Sequence, residues 1–119
     1  MGYKQQLQYE RDYCNMICDR GIHAERVASS GARRKSVCDA ITFSLKSAYL
    51  TEIKSTKKKV FKFIDTHGIF SKANSLLIEC LLCIYFKSSH SSKGKGRWVI
   101  KKIYSTEMVV RCDDECDEF

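Results

Sequence analysis

At 119 residues the chain is long enough for one compact domain and too short for two. Its 44% hydrophobic and 11% aromatic content excludes a wholly disordered chain. The longest apolar stretch, Leu76 to Phe86, is far shorter than the ~20 residues of a membrane span and carries Glu79. The N-terminal segment, with Lys4, Glu10, Arg11 and Asp12, has no apolar signal core.

The net charge of +7 is unevenly placed. The first 110 residues hold 20 basic and 9 acidic side chains, a net of +11; the last nine hold one basic and five acidic, a net of −4. Residues 1–110 are therefore taken as the folded domain, and 111–119 as an acidic, flexible tail. Basic runs at Arg33-Arg34-Lys35 and Lys57-Lys58-Lys59, and Lys93, Lys95, Arg97, Lys101 and Lys102 around Trp98, suit a polyanionic partner. Each cation that meets a phosphate releases a counterion. Trp98 itself is expected to pack on the core from a strand.

Residues 4–20 are expected to form a helix, with Leu7, Cys14, Ile17 and Cys18 at helical spacing and Gly21 as the stop. Ile22 to Ala28 is a candidate first strand, followed by a polar loop from Ser29 to Lys35. Val37 to Leu45 and Ala48 to Ser55 have the β-branched, aromatic and alternating character of two strands joined by a turn at Lys46-Ser47. Lys57 to Phe70 stays ambiguous. Ser71 to Glu79 looks helical, with Ser71 as its cap. Cys80 to Phe86 is a buried strand by composition, Ser88 to Gly96 a loop, and Arg97 to Tyr104 a further strand. The order of a helix, three strands, a helix and two strands implies a single α/β domain. Its centre would be a mixed five-stranded sheet flanked by helices.

Seven cysteines cannot all pair within one chain. Reduced, mostly buried thiols in a cytoplasmic, reducing compartment are expected. Cys80 and Cys83 have zinc-ligand spacing but lie inside the most apolar segment, where structural zinc sites rarely sit. Cys112 and Cys116 are expected to be the reactive ones. His23, His67 and His90 show no triad-like spacing to a serine and an acid, so core or surface roles are expected for each.

The informative constellation is Asp39 on one strand with Glu52-Ile53-Lys54 on the next. A hairpin between them would set the two carboxylates opposite one another, an arrangement that is costly unless a cation lies between. Hard oxygen ligands suit Mg²⁺ or Mn²⁺. Lys54, two residues on, would point to the same face as Glu52.

The wider series is Glu10-Arg11, then Arg26-Val27-Ala28-Ser29-Ser30-Gly31, then Cys38-Asp39-Ala40-Ile41, then Leu50-Thr51-Glu52-Ile53-Lys54-Ser55-Thr56. In this order and spacing it resembles the archaeal-type Holliday junction resolvases over roughly residues 3–104. Those enzymes belong to the nuclease superfamily named for a Pro-Asp, then Asp/Glu-x-Lys, signature. Here Cys38 stands where that superfamily often has proline.

The resemblance implies a restriction-endonuclease-like fold and a divalent metal, Mg²⁺ with Mn²⁺ as a substitute, held by Asp39, Glu52, the Ile53 carbonyl and Glu10. It implies Lys54 as the group that positions the nucleophilic water or steadies developing charge, and Ser30 (or its neighbour Ser29) near the scissile phosphate. Arg11 and Arg26 match family arginines that would contact phosphate, joined by the local runs Arg33, Arg34, Lys35, Lys57, Lys58 and Lys59. The implied activity is homodimeric resolution of four-way DNA junctions by paired phosphodiester hydrolysis. Two equivalent sites are what a pair of symmetric nicks requires, and Ile78, Leu82, Ile84 and Phe86 are candidates for the two-fold contact. The alternatives are a repair or general nuclease of the same superfamily, a non-catalytic DNA-binding module and a zinc-dependent binding protein.

Overall fold

The computed structural model describes residues 3–27, 38–87 and 96–119. Ser30, Arg33, Arg34 and Lys35 lie outside the described residues, as do most of the Ser88–Gly96 loop and the first two residues.

The chain opens with α1 (Tyr3–Asp19), which lays Tyr13 and Ile17, one turn apart and fully buried, against the sheet. Gly21 ends it at φ 78°, a left-handed conformation that glycine adopts without penalty. The Gly21 amide donates to the Cys18 carbonyl and the Ile22 amide to that of Ile17, the paired bonds of a Schellman cap.

Next come β1 (His23–Arg26), β2 (Ala40–Phe43) and β3 (Ala48–Thr56), paired antiparallel in sequence. The β2–β3 turn spans Ser44 to Ser47, closed by the Ser44 amide on the Ser47 carbonyl, and leaves Leu45 fully exposed at its tip. After β4 (Val60–Ile64) and α2 (Ile69–Ser75), β5 (Glu79–Phe86) returns parallel to β3, and β6 (Arg97–Lys102) pairs antiparallel with β5. The five expected strands thus form one mixed sheet in the order β1-β2-β3-β5-β6.

β3 and β5 read as nearly unbroken buried runs because they are covered on both faces. Side chains alternate between two cores. Tyr49, Ile53, Leu81, Cys83 and Ile100 pack under α1. Leu50, Cys80, Leu82, Ile84 and Phe86 face α2 and a second, two-stranded sheet of β4 and β7 (Glu107–Arg111). That small sheet has no counterpart in the expected elements.

Several expectations are corrected. Leu82, Ile84 and Phe86 are fully buried in the monomer core, so they offer no surface to a second copy, and Ile78 packs half-buried beside it. Cys80 and Cys83, three residues apart on a strand, fall on opposite faces of the sheet and cannot share a metal. All seven cysteines are free. Cys112 is buried, which leaves Cys116 and Cys18 as the exposed thiols. The helix expected from Ser71 starts at Ile69 and is capped from outside. Both Asp65 carboxylate oxygens accept amide bonds, from Ile69 at 3.0 Å and Phe70 at 3.1 Å.

Residues 112–119 have no regular structure and lie along β6. The Arg97 guanidinium donates to the carbonyls of Cys112 and Asp114, Asp117 takes the Lys102 amide and the Lys101 ammonium, and Phe119 sets its ring edge-on to Tyr49. Among the described residues no helix is long and apolar enough to cross a membrane.

α2 ends on Leu77 at φ 59°, where its amide and that of Ile78 close another Schellman cap. A β-carbon in this conformation costs roughly 1 kcal/mol or more, and the Leu77 side chain is 93% exposed, so it returns little packing. Leu77→Gly is therefore expected to stabilise the protein by ~0.5–1 kcal/mol after the entropy cost of glycine is subtracted. Urea denaturation of the two proteins side by side measures it; a lower midpoint in the variant contradicts the account.

Candidate active site

The site is built at the ends of β2 and β3. Asp39 immediately precedes β2, and the register Ala40↔Thr51 sets it opposite Glu52. Its amide donates to the Thr51 carbonyl at 2.9 Å, and one carboxylate oxygen accepts the Ile53 amide at 2.8 Å. A buried hydroxyl chain holds this register. Tyr13 and Thr42 meet at 2.8 Å, and Thr42 and Thr51 at 2.8 Å, tying α1, β2 and β3 together. Burial pushes the Tyr13 phenol far above its ordinary range, so the chain stays neutral.

Glu52 is 6% exposed. The Lys54 ammonium lies 3.7 Å from its carboxylate, on the same face as the strand's period of two requires. His67, delivered by the Asp65–Gly68 turn, brings Nδ1 to 4.0 Å from the same oxygen. Glu10, 7% exposed, reaches the site from α1. One of its oxygens is 3.6 Å from the Arg26 guanidinium, and the other accepts from the Gln6 amide at 3.2 Å. The same Gln6 nitrogen donates to the Ile53 carbonyl at 3.1 Å, bridging helix and strand.

The expected residues Glu10, Asp39, Glu52, Ile53 and Lys54 are thus brought together. Arg26 joins them through Glu10. Arg11 is exposed on α1, and Lys57, Lys58 and Lys59 form the exposed β3–β4 turn just beyond Lys54. Gln6 and His67 were not foreseen. Gln6 had a findable signal, one helical turn before Glu10. His67 had none, because its approach to Glu52 depends on the turn after β4.

The electrostatics follow from burial. Desolvation first, then the Asp39 charge, pushes the Glu52 carboxyl up to about 7, with Lys54 pulling the other way. Glu10 is raised by the same two causes and lowered by Gln6 and Arg26. Buried carboxylates facing each other favour either a proton or a cation between them. Among the described residues, no three acidic, His or Cys side chains already form a cation cage. Asp39 is engaged by the Ile53 amide, and Glu10 and the Ile53 carbonyl by Gln6. The donor set itself, carboxylates and a backbone carbonyl, is that of a hard divalent ion, so the residues fit one once those bonds exchange.

A carboxyl whose pKa is raised by folding binds its proton more tightly in the folded chain. Stability is then lost as pH rises from the unfolded value near 4.5 through about 7. Glu52→Gln is expected to stabilise the metal-free protein at pH 8 by on the order of 1–3 kcal/mol and to have little effect at pH 4.5. Thermal melts in chelator at both pH values check this; an equal shift at both would place its origin elsewhere than in the charge.

Comparisons with known proteins bear on this geometry. Residues 1–80 match the family model described as archaeal Holliday junction resolvase (Hjc). The solved structure of Hjc, a Holliday junction resolvase from the archaeal hyperthermophile Archaeoglobus fulgidus, superposes with a TM-score of 0.66 at 15% sequence identity. The match covers 87% of this chain and 85% of that one. No match is found among curated proteins. The shared fold is the restriction-endonuclease-like arrangement of a mixed five-stranded sheet with flanking helices. With its family match spanning residues 1–80 and carrying Glu10, Asp39, Glu52 and Lys54, the chain belongs to the archaeal Holliday junction resolvase (Hjc) family.

Proposed function

We propose that this nuclease resolves four-way DNA junctions by metal-dependent hydrolysis of paired phosphodiester bonds, acting as a homodimer. The observation that carries the reading is the convergence of Asp39, Glu52 and Lys54 at one end of the β2–β3 pair, with Glu10 entering from α1.

Asp39, Glu52 and the Ile53 carbonyl would hold Mg²⁺, or Mn²⁺ in its place, with Glu10 as a further oxygen ligand. Such an ion, when bound, supplies charge neutralisation at the scissile phosphate and a more acidic water. Lys54 places a cation beside Glu52, where charge on a reacting phosphate would develop and where it can orient the attacking water. Arg26 is partly exposed and keeps donors beyond its contact with Glu10, so it can serve both the carboxylate and a phosphate.

Lys57, Lys58 and Lys59 would continue the phosphate contacts away from the site, with Arg11 on the helix and Arg33, Arg34, Lys35 and Ser30 (or Ser29) from the segment before Asp39. Phosphate contacts of this kind locate a backbone without reading sequence, which suits recognition by shape. Two like-polarity nicks call for two equivalent sites related by a two-fold axis.

The test is a parallel digestion of a four-way junction and a linear duplex of the same sequence, with Mg²⁺ and with chelator. Symmetric paired nicks on the junction alone, lost in chelator, are the expected result. Equal cutting of both DNAs would favour a general or repair nuclease of the same superfamily. Asp39→Ala and Glu52→Ala are expected to lower cleavage by about a thousandfold or more, ~4 kcal/mol of transition-state stabilisation, while still shifting the junction in a gel. Undiminished cutting by both variants would show the site to be misplaced. Binding should weaken steeply between low and physiological salt, as ionic contacts require.

A further inference from the structure

A groove of about 480 Å³ runs between the N-terminal half of α1 and the β5–β6 pair, lined by Gln5, Gln8, Tyr9, Asp12, Tyr85 and Trp98. Three half-buried aromatic rings form its wall. Tyr9 and Tyr85 lie 5.5 Å apart between centroids and tilted by 35°, and Tyr85 and Trp98 are 5.2 Å apart at 54°. Tyr85 and Trp98 are cross-strand partners, so the sheet fixes their spacing. Tyr85 is also confined from the side. A β-carbon on Gly96 would fall 2.1 Å from the end of its ring, so glycine there lets the ring keep this position. The Lys87 ammonium sits 5.3 Å from the Tyr9 ring centroid, a cation–π contact that steadies the ring.

The groove lies on the α1 face of the sheet, at the end of β3 and β5 where the candidate active site is built, while Glu52 and Lys54 point to the opposite face. Tyr9 directly precedes Glu10, Gln5 precedes the Gln6 that bridges to Ile53, and Tyr85 pairs with Ser55, the residue after Lys54. Its polar rim differs in sign from the surroundings. Gln8 donates to the Asp12 carboxylate at 2.7 Å, leaving an acceptor-rich, anionic edge. That edge repels a phosphate and accepts from the amino or imino groups of a base. The aromatic wall, in turn, offers faces for stacking rather than a purely aliphatic seat.

We infer that this groove receives an unstacked nucleobase from the branch point of the DNA, held by the Tyr9–Tyr85–Trp98 wall with its hydrogen-bonding edge toward Asp12. The inference rests on the resolvase reading and adds a means of telling branched from linear DNA. A base inside a continuous duplex is stacked on both sides and cannot enter, whereas one at a strand exchange is more easily displaced. Stacking on protein aromatics serves single-stranded recognition generally, and by its usual strength each stacked base multiplies affinity by about tenfold.

Trp98 is the sole tryptophan, so its emission reports on the groove in the unmodified protein. The experiment titrates the protein, in chelator so that no strand is cut, with three DNAs followed by Trp98 fluorescence and by gel shift. These are a four-way junction, the same junction with abasic nucleotides at the branch point, and a linear duplex. Quenching by the intact junction and little change with the other two is expected. Tyr9→Ala should weaken junction binding about tenfold and leave duplex binding unchanged, and Tyr9→Phe should restore it.

Equal quenching by the intact and abasic junctions would overturn the inference, as would unchanged emission from a junction that the gel shows to be bound. If Tyr9→Ala disturbs the fold, the abasic comparison on the unmodified protein still decides. Junction cutting in Mg²⁺ with no change at Trp98 would remove the base site and leave the resolvase reading intact. Failure to bind the junction at all would remove both.

Discussion

Two carboxylates, Asp39 and Glu52, are held opposite each other in a largely buried corner because β2 and β3 pair in one register. Much of the rest of the structure serves that constraint. The Tyr13–Thr42–Thr51 hydroxyl chain locks the register from the α1 side, and the Ile53 amide takes up one Asp39 oxygen. A slip of one residue would turn Glu52 into the opposite core and bring Ile53 to the site, an exchange that burial on both faces forbids. The cations and donors around the corner, Lys54, His67, Arg26 and Gln6, arrive from β3, the β4–α2 turn, β1 and α1. None alone offsets the buried charge, and together they leave it only partly compensated, which is why Glu52 and Glu10 hold their protons more tightly than ordinary carboxyls.

The charge distribution has a matching asymmetry. The acidic C-terminal segment lies against β6, where Asp117 meets Lys101 and the carbonyls of Cys112 and Asp114 occupy Arg97. Asp117 also binds the Lys102 amide and gives its own amide to the Ile100 carbonyl, which covers the outer edge of the five-stranded sheet. Positive side chains at the end of β3, by contrast, stay exposed in the Lys57–Lys59 turn. The +11 of the first 110 residues is thus partly offset on the β6 side.

What could not be read from the residues has identifiable causes. β4 and β7 pair with each other across more than forty residues, and their exposed positions include Val60, Ile64 and Val109, so the polar–apolar alternation that marks a strand with one buried face is absent. Ser71 looked like a helix cap because it precedes a polar-apolar run. The cap comes from Asp65, four residues before the first helical amide, through a turn that only Gly68 in the left-handed region allows. Leu82, Ile84 and Phe86 looked equally suited to a dimer face and to a core. A strand covered on both sides and a strand at an interface carry the same unbroken apolar run.

The sequence by itself determined the helix and the five strands of the main sheet in order. It also determined the pairing of Asp39 with Glu-Ile-Lys across one hairpin, and the family to which that pairing belongs. Those features are local: helical spacing, strand alternation and the turn between two strands act within a few residues. Tertiary structure alone decided that Gln6 would bridge Glu10 and Ile53 and that His67 would approach Glu52. It likewise decided that Tyr9, Tyr85 and Trp98 would line one groove. Those contacts join positions far apart in the chain and exist only once α1 and the β4–α2 turn have packed across the sheet, where burial sets both the distances and the protonation of what meets there.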